Sequence, residues 1–577
     1  MFLSGDPVVS FSIRLLAVFV LLPFIALNAQ AEEGIKVAGV PVNVVPDPDL
    51  SKLSVMAMWS QILPGPKGPM PGVNNGDVVP QMEARFILAV QTGARVEDAC
   101  TNPLVDVTGK APNAFIRFRG ALKGNLQLAS STAPIRTYDV AICAVAMDPA
   151  AASVSVTLNH QIPTLYPGNV DPNAVQRPAT MAGPALFGRR SNGGKSIRAG
   201  FLADSGCRGQ VEGKSKGGRW WQDCEDRPDK SDAIWKWALP SVAKDIAKTP
   251  PDFIIHGGDH HYFYEEGEFG GFWLGVGRNR FEYWLYEFLN AAQPMMLAAP
   301  FVFVRGNHEL CSSSWFGGGW FEMFGPRILD NTAPDEGDAL NGCQTGADYS
   351  EAWYFDVAPR NDTTVPPFRF HVIDSGNDWN ASQNNAFNVA AEGGRDKIWL
   401  THIPPAMLLH YNSEFQFADQ KVLEAVSNAF AQVAGCGGLG NFSCWPRAIL
   451  TGHQHLYQKV ELSSSASIAT GTVVTEVHIA GHGGTAWDKA GLVAKDLPQT
   501  PAVACTTVLK LTNPHQKKGV FGPQDMHARI TSVSRHGYLI LERDAHSPTS
   551  TGWKITPHWV PAAQGVDLNV KVAECEG

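Results

Sequence analysis

The sequence predicts a mixed α/β fold preceded by an all-β, sandwich-like N-terminal domain, and three observations carry that expectation. Within residues 32–186, stretches of apolar and polar side chains alternate with a period of two. Beyond residue 197, short apolar runs alternate with helix-like stretches, the pattern of an α/β domain. Five of those runs end in an Asp, Asn or His, most of them flanked by glycine. The carboxyl ends of strands are where open α/β sheets place their chemistry.

At 577 residues, 44 % of them hydrophobic and 18 % charged, the chain can bury a large core. Its 46 basic and 55 acidic residues give a net charge of −9. No basic tract is present, which argues against a nucleic-acid duplex or an anionic membrane surface as partner. Arg14 precedes the apolar run 15–27, and Ala29-Gln30-Ala31 is a small-x-small pattern, so residues 1–31 read as an export signal peptide. The run is short for a membrane span, and an uncleaved anchor is the alternative. No second stretch is long enough to cross a bilayer, so the mature chain is expected in the periplasm or outside the cell. Ten cysteines follow Ala31 and no CxxC occurs. An even number in an exported chain favours disulfides, and sequence neighbours can pair as 100–143, 207–224, 311–343, 436–444 and 505–575.

In the N-terminal domain, 32–186, Val154, Val156 and Leu158 alternate with Ser153, Ser155 and Thr157. Further strands are expected at 84–90, 114–122 and 135–147, separated by Pro/Gly-rich loops such as 63–73. No catalytic cluster occurs there, which suits a scaffold or binding module. The polar, glycine-rich stretch 187–195 reads as a linker. The second domain, 197–577, opens with a strand at 197–202. A helix is expected at 230–248, with Ser231 as N-cap and Pro250-Pro251 as the stop. A strand at 252–255 and a helical segment at 281–289 follow. Strands are then expected at 301–304, 368–373, 398–400, 448–450 and 476–479. Strand-like runs at 537–542 and 553–559 are expected to complete a second sheet.

The strand ends read, in order, Asp204-Ser205-Gly206, Gly258-Asp259-His260-His261-Tyr262, Gly306-Asn307-His308-Glu309, Thr401-His402 and Gly452-His453-Gln454-His455. Each alone has an ordinary explanation, such as a turn-forming Asp or a satisfied core histidine. In this order the set resembles the calcineurin-like metallophosphoesterases, and within them the purple acid phosphatase branch, over roughly residues 197–485. The resemblance implies an αββα sandwich of two mixed sheets holding two metal ions. Asp259 would bridge the ions, Asp204, Tyr262 and His455 would complete one site, and Asn307, His402 and His453 the other. Most relatives carry a histidine where this chain has Gly206, so Tyr262 would supply the missing ligand. A phenolate favours Fe(III) there, whereas the other site suits Zn, Mn or Fe(II). His260 and His261 lie beside the bridge, and either can replace Tyr262 in that role.

The implied reaction is hydrolysis of a small-molecule phosphate ester by hydroxide that the metals generate near neutral pH. His308 is the candidate to stabilise the transition state or protonate the leaving oxygen; a supporting hydrogen bond to Asp259 or Glu309 is the alternative. His410 is a weaker candidate for the substrate, and the loop 315–320 either lines the pocket or simply packs. A phosphomonoesterase of the acid-phosphatase kind is the first expectation. A phosphodiesterase acting on nucleotides or phospholipid head groups, or an inactive secreted binding protein on the same fold, are the others.

Overall fold

The structure is a computed structural model. It describes residues 53–64, 70–71, 78–91, 93–126, 136–165, 177–190, 192–207, 237–262, 267–269, 272–274, 281–311, 317–326, 343, 348–361, 367–376, 397–405, 407, 445–464, 475–485, 502–511, 524–533, 535–544, 553–560 and 572–574. Two nine-stranded mixed sheets form its frame. The first runs, in spatial order, Trp553–Trp559, Gly537–Asp544, Ser196–Leu202, Phe253–His256, Phe301–Phe303, Ser54–Ile62, Met82–Ala89, Arg136–Ala146 and Arg117–Leu126. The second runs Trp353–Val357, Phe368–Val372, Lys397–Leu400, Ala448–Thr451, Thr475–Ala480, Tyr457–Ser464, Gln524–Val533, Ala502–Leu511 and Val572–Glu574.

Period-two alternation assigns the side chains to faces. In the strand Phe253–His256, Phe253 and Ile255 enter the core shared with the second sheet, whereas Ile254 enters the helix-covered core. Phe253 meets Phe355 at 5.7 Å and Phe370 at 5.4 Å, both edge-on. On the opposite face lie the helices Leu239–Lys248, Asn290–Ala298 and Gly317–Phe324. A three-stranded sheet of Val105–Thr108, Ser153–Leu158 and Thr180–Ala182 contributes Val107, Val154 and Val156 to the same core as Met58, Phe86 and Leu88.

The two mixed sheets and the β-rich N-terminal region agree with the expected fold class. One strand that pattern reading passed over joins them. Ser54–Ile62 is almost wholly buried and pairs parallel to Phe301–Phe303 on one side and antiparallel to Met82–Ala89 on the other. A strand buried on both faces has no polar alternation to betray it. Four N-terminal strands thereby continue the first sheet. The connecting segment is tied down too: Phe187 stacks on Phe253 at 5.6 Å, and Arg190 donates to the carbonyls of Pro251 at 2.9 Å and Ala298 at 2.6 Å.

Two expectations are corrected. The strands Gly537–Asp544 and Trp553–Trp559 do not complete the second sheet; Gly537–Asp544 pairs with Ser196–Leu202 and both extend the first sheet. The helix expected from 230 starts at Leu239, with Ala238 rather than Ser231 at its N-cap and Pro240 in its first turn. Proline suits that turn because it has no N–H to leave unpaired.

Disulfides join Cys100 to Cys143 and Cys311 to Cys343, as sequence neighbours suggested. Cys207 is also in a disulfide; its expected partner Cys224 and the pairs 436–444 and 505–575 lie outside the residues whose side chains are described. The expected signal peptide lies outside the described residues as well. Among the described residues, no helix is long and apolar enough to cross a membrane.

Candidate metal centre

The strand registers set the ligand residues side by side. In the first sheet Leu202 lies opposite His256, and His256 opposite Phe303, so these three parallel strands end level. In the second sheet Leu400 lies level with Leu450. Asp204, Asp259 and Asn307 therefore leave the first sheet at one edge, and His402, His453 and His455 leave the second. Asp204, Asp259 and His453 turn sharply inward at φ of +54°, +55° and +75°. That left-handed region is costly for residues with a Cβ, and Asp tolerates it better than most. Non-glycine residues held there cluster at functional sites.

The side chains converge on Asp259. Its Oδ1 accepts the backbone N–H of His308 at 2.9 Å. Its Oδ2 lies 3.0 Å from the Tyr262 hydroxyl and 3.2 Å from His402 Nε2. On one side, the Tyr262 hydroxyl is 2.6 Å from Asp204 Oδ1 and 3.0 Å from His455 Nε2. On the other, Asn307 Oδ1 lies 2.9 Å from both His402 Nε2 and His453 Nδ1. Asp204 Oδ2 accepts the backbone N–H of His453 at 2.8 Å and so ties the two sheets together. All seven residues assigned to the metals by sequence come together. Asp204, Tyr262 and His402 have no exposed surface, whereas Asn307 and His453 are only partly buried.

The two buried carboxyls draw positive charge toward them, and His402 is the group that answers. Burial pushes the Asp204 carboxyl up to about 8, with His402 opposing the rise and Asp259 adding to it. Asp259 is held well below the usual carboxylate range; burial works against this, but His308 and His402 outweigh it. Burial alone would lower His402, yet Asp259 and Asp204 hold it up at about 10. His453 is lowered by burial to about 4 and stays neutral. His402 Nδ1 faces the Gly257 carbonyl at 2.8 Å, so in a neutral ring Nδ1 donates there. With a metal bound the ring would be neutral, and its Nε2 lone pair would then face the space shared with Asn307 Oδ1 and Asp259 Oδ2. Ligand atoms of Asp204, Asp259 and His402 all lie within 4.8 Å of one another. Carboxylate, phenol, amide and imidazole without thiolate suit hard and borderline metal ions. The residues present fit the metal centre the motifs imply.

The surroundings resolve the choice between Tyr262 and its histidine neighbours. His260 turns away and stacks on Phe324 at 5.3 Å and on His256 at 3.9 Å. His261 packs edge-on against Trp284 at 3.9 Å. Both are fully buried, and of the three it is Tyr262 whose hydroxyl lies within hydrogen-bond distance of Asp204, Asp259 and His455. A methyl group at Gly206 would stand 2.5 Å from the His260 carbonyl oxygen, so a histidine there would force the backbone to shift. Gly258, at φ +98°, brings its backbone so close that a methyl group would lie 2.7 Å from His402 Nδ1.

His308 lies over the cluster, its ring 4.3 Å from that of Tyr262 and its Nε2 3.8 Å from Asp259 Oδ2, with the side chain 10 % exposed. The expected loop 315–320 is corrected: Trp320 lies in the helix Gly317–Phe324, is 1 % exposed and packs in the helix-covered core, while residues 315 and 316 lie outside the described residues. His410 lies outside the described residues.

Sequence reasoning missed the residues that hold the ligands in place. Glu309 accepts the backbone N–H groups of Asp259 at 3.1 Å, His260 at 2.8 Å and Gly306 at 2.8 Å. Its place in the Gly306–Glu309 motif was the available signal. Glu287, buried in a single π-helical turn, Leu285–Leu289, accepts the Tyr262 N–H at 2.8 Å. Ser375 Oγ accepts the N–H groups of His402 at 3.0 Å and Ile403 at 2.8 Å. Neither Glu287 nor Ser375 carries a local sequence signal.

Comparison with known proteins gives a family match over part of the chain. Residues 198–457 match the family model described as calcineurin-like phosphoesterase. No curated protein matches the chain significantly. A solved structure described as "Structure of PhoD" aligns over 90 % of this chain and 94 % of its own, at 11 % identity and a TM-score of 0.38. That likeness is too distant to carry an argument.

Proposed function

We propose that this chain, a member of the calcineurin-like phosphoesterase superfamily through residues 198–457, is an exported phosphomonoesterase of the acid-phosphatase kind. The observation that carries the reading is the meeting of donors from both sheets around Asp259 Oδ2, which faces Tyr262 on one side and His402 on the other. Asp204, Tyr262 and His455 would hold one ion, Asn307, His402 and His453 the second, and Asp259 both. The phenol favours Fe(III) in the first place; Zn, Mn or Fe(II) suits the second. When bound, such ions supply Lewis acidity toward a phosphoryl oxygen and acidify water.

The chain's own residues do the rest. His308 stands at the partly open side and would protonate the leaving oxygen. Glu309 holds the Asp259 loop through two amides and its own loop through the Gly306 amide, and Glu287 and Ser375 hold Tyr262 and His402. The disulfides support export to an oxidising compartment. A signal peptide at 1–31, an N-terminal region at 32–186 and a catalytic region at 197–577 belong to the same proposal, with the two regions sharing a sheet. A small-molecule phosphate ester is the substrate class; the partner of the N-terminal region is left open.

The test is hydrolysis of a nitrophenyl phosphate monoester and the matching diester by metal-loaded mature protein, from acidic to neutral pH. Monoester turnover that disappears in Asp259→Asn is expected. Preference for the diester would replace the monoesterase with a phosphodiesterase. Two bound metals with neither ester cleaved would favour an inactive binding protein on this fold.

A further inference from the structure

Beneath the outer side of the cluster a buried ion network crosses between the sheets. Arg305 follows the strand Phe301–Phe303 in the first sheet and stands two residues before Asn307. Asp374 follows the strand Phe368–Val372 in the second sheet and immediately precedes Ser375, which holds the His402 loop. Arg305 Nε donates to Asp374 Oδ2 at 2.8 Å, with side-chain exposures of 0 % and 3 %. The other end of the guanidinium donates to the side chain and carbonyl of Asp348 and to the carbonyl of Glu309, the last at 3.0 Å. Asp348 in turn accepts the N–H of Cys311 at 3.0 Å, so it grips the segment 305–311 at both ends. Asp374 accepts the N–H of Ser350 at 2.7 Å and of Gly376 at 2.9 Å. At Gly376 a methyl group would stand 2.5 Å from the Gly306 carbonyl oxygen, so the two loops are in contact.

We propose that Arg305, clamped between Asp374 and Asp348, is a positioning residue that sets Asn307 against His402 and His453, and so controls the metal site those three residues form. This rests on the metal assignments proposed above. The two sites depend on the sheets differently. In the Tyr262 site, three of four donors leave the first sheet within one cluster, and His455 is the single donor from the second. The Asn307 site takes Asn307 and Asp259 from the first sheet and two histidines from the second. A shift of one loop past the other therefore separates donors in the second site while leaving the first nearly intact. Arg305 suits the clamp because its planar fork reaches two acidic residues at once, which an ammonium cannot do with the same geometry.

The experiment is stepwise metal titration of the full mature chain by calorimetry, with metal content measured alongside, for wild type, Arg305→Lys, Asp374→Asn and, as reference, His453→Ala. In Arg305→Lys and Asp374→Asn the weaker metal step is expected to lose affinity by about 10–100-fold, as in the reference, while the tighter step stays within about twofold of wild type. Monoester kcat should recover at saturating metal with KM unchanged, a recovery that general loosening of the fold would not give. Asp374→Asn is close to isosteric and decides the matter if Arg305→Lys does not fold. Unchanged affinities at both steps, or an equal fall at both, overturn the proposal. Wild-type protein that binds fewer than two ions would instead overturn the reading on which it rests.

Discussion

The two sides of the cluster are built differently, although each supplies three side chains beside Asp259. Asp204, Tyr262 and His455 form an inner side, sealed from solvent, with the phenol at its centre. Asn307, His402 and His453 form an outer side in which Asn307 and His453 are partly exposed. On the inner side the Asp204 N–H donates to the Gly258 carbonyl at 2.9 Å, the Thr485 N–H to the Asp204 carbonyl at 3.0 Å, and the Tyr262 N–H to buried Glu287 at 2.8 Å. The outer side is held by buried side chains, Ser375 and the Arg305–Asp374 pair. Under the proposed metal assignments, the sealed side would suit a resident ion and the side open at one edge the ion that meets the substrate.

The largest effect tests what the sides share. Asp259→Asn removes the charge that faces both, and kcat/KM for the monoester is expected to fall by about 10³-fold or more, since metal stabilisation of a transition state amounts to several kcal/mol. Metal analysis should show both steps weakened. Gly258→Ala comes next. The φ of +98° and the approach to His402 Nδ1 should cost about 1–3 kcal/mol from backbone conformation alone, read as a lowered Tm together with poorer metal retention.

Two substitutions separate the sides. Tyr262→Phe should weaken the tighter metal step and His453→Ala the weaker one, each by about 10–100-fold. A chelator series should likewise remove one ion well before the other. Equal loss of both ions in the chelator series would show that the contrast between inner and outer sides has no energetic content.

The smallest effect concerns acid. His482, in the loop that packs behind Asp204, and its neighbour His536 are both lowered by burial to about 3. The folded chain then binds fewer protons than the unfolded chain between about pH 3 and 6.5, so their contribution is fully present above 6.5 and is lost as pH falls. Each should cost about 1.5 kcal/mol between pH 6.5 and 5. In His482→Leu, urea unfolding at these two pH values should show a shallower decline, by about one proton's worth.

The elements were legible where local chemistry was enough. An apolar run that stops at a polar residue announces a strand end, and the seven residues that the family resemblance picked out at those ends meet in space. His260 and His261 could not be separated from Tyr262 by spacing, because all three follow Asp259 within a few residues. The packing of His260 on Phe324 and of His261 on Trp284 separates them, and those aromatics lie far along the chain. The helix start misled because Ser231 resembles a cap, whereas Pro240 marked the first turn eight residues beyond the position after it.

By itself the sequence determined which residues meet in the cluster, since each of its loops is encoded within a few consecutive residues. It also determined that strands dominate both ends of the chain. Strand partners were decided by the tertiary structure alone. A strand's alternation names its buried face and says nothing of its neighbour, so Ser54–Ile62 lies beside Phe301–Phe303 and Gly537–Asp544 beside Ser196–Leu202 without a local signal. The same holds for Arg305 and Asp374: 69 residues separate them, and only the packing of one sheet against the other makes them a pair.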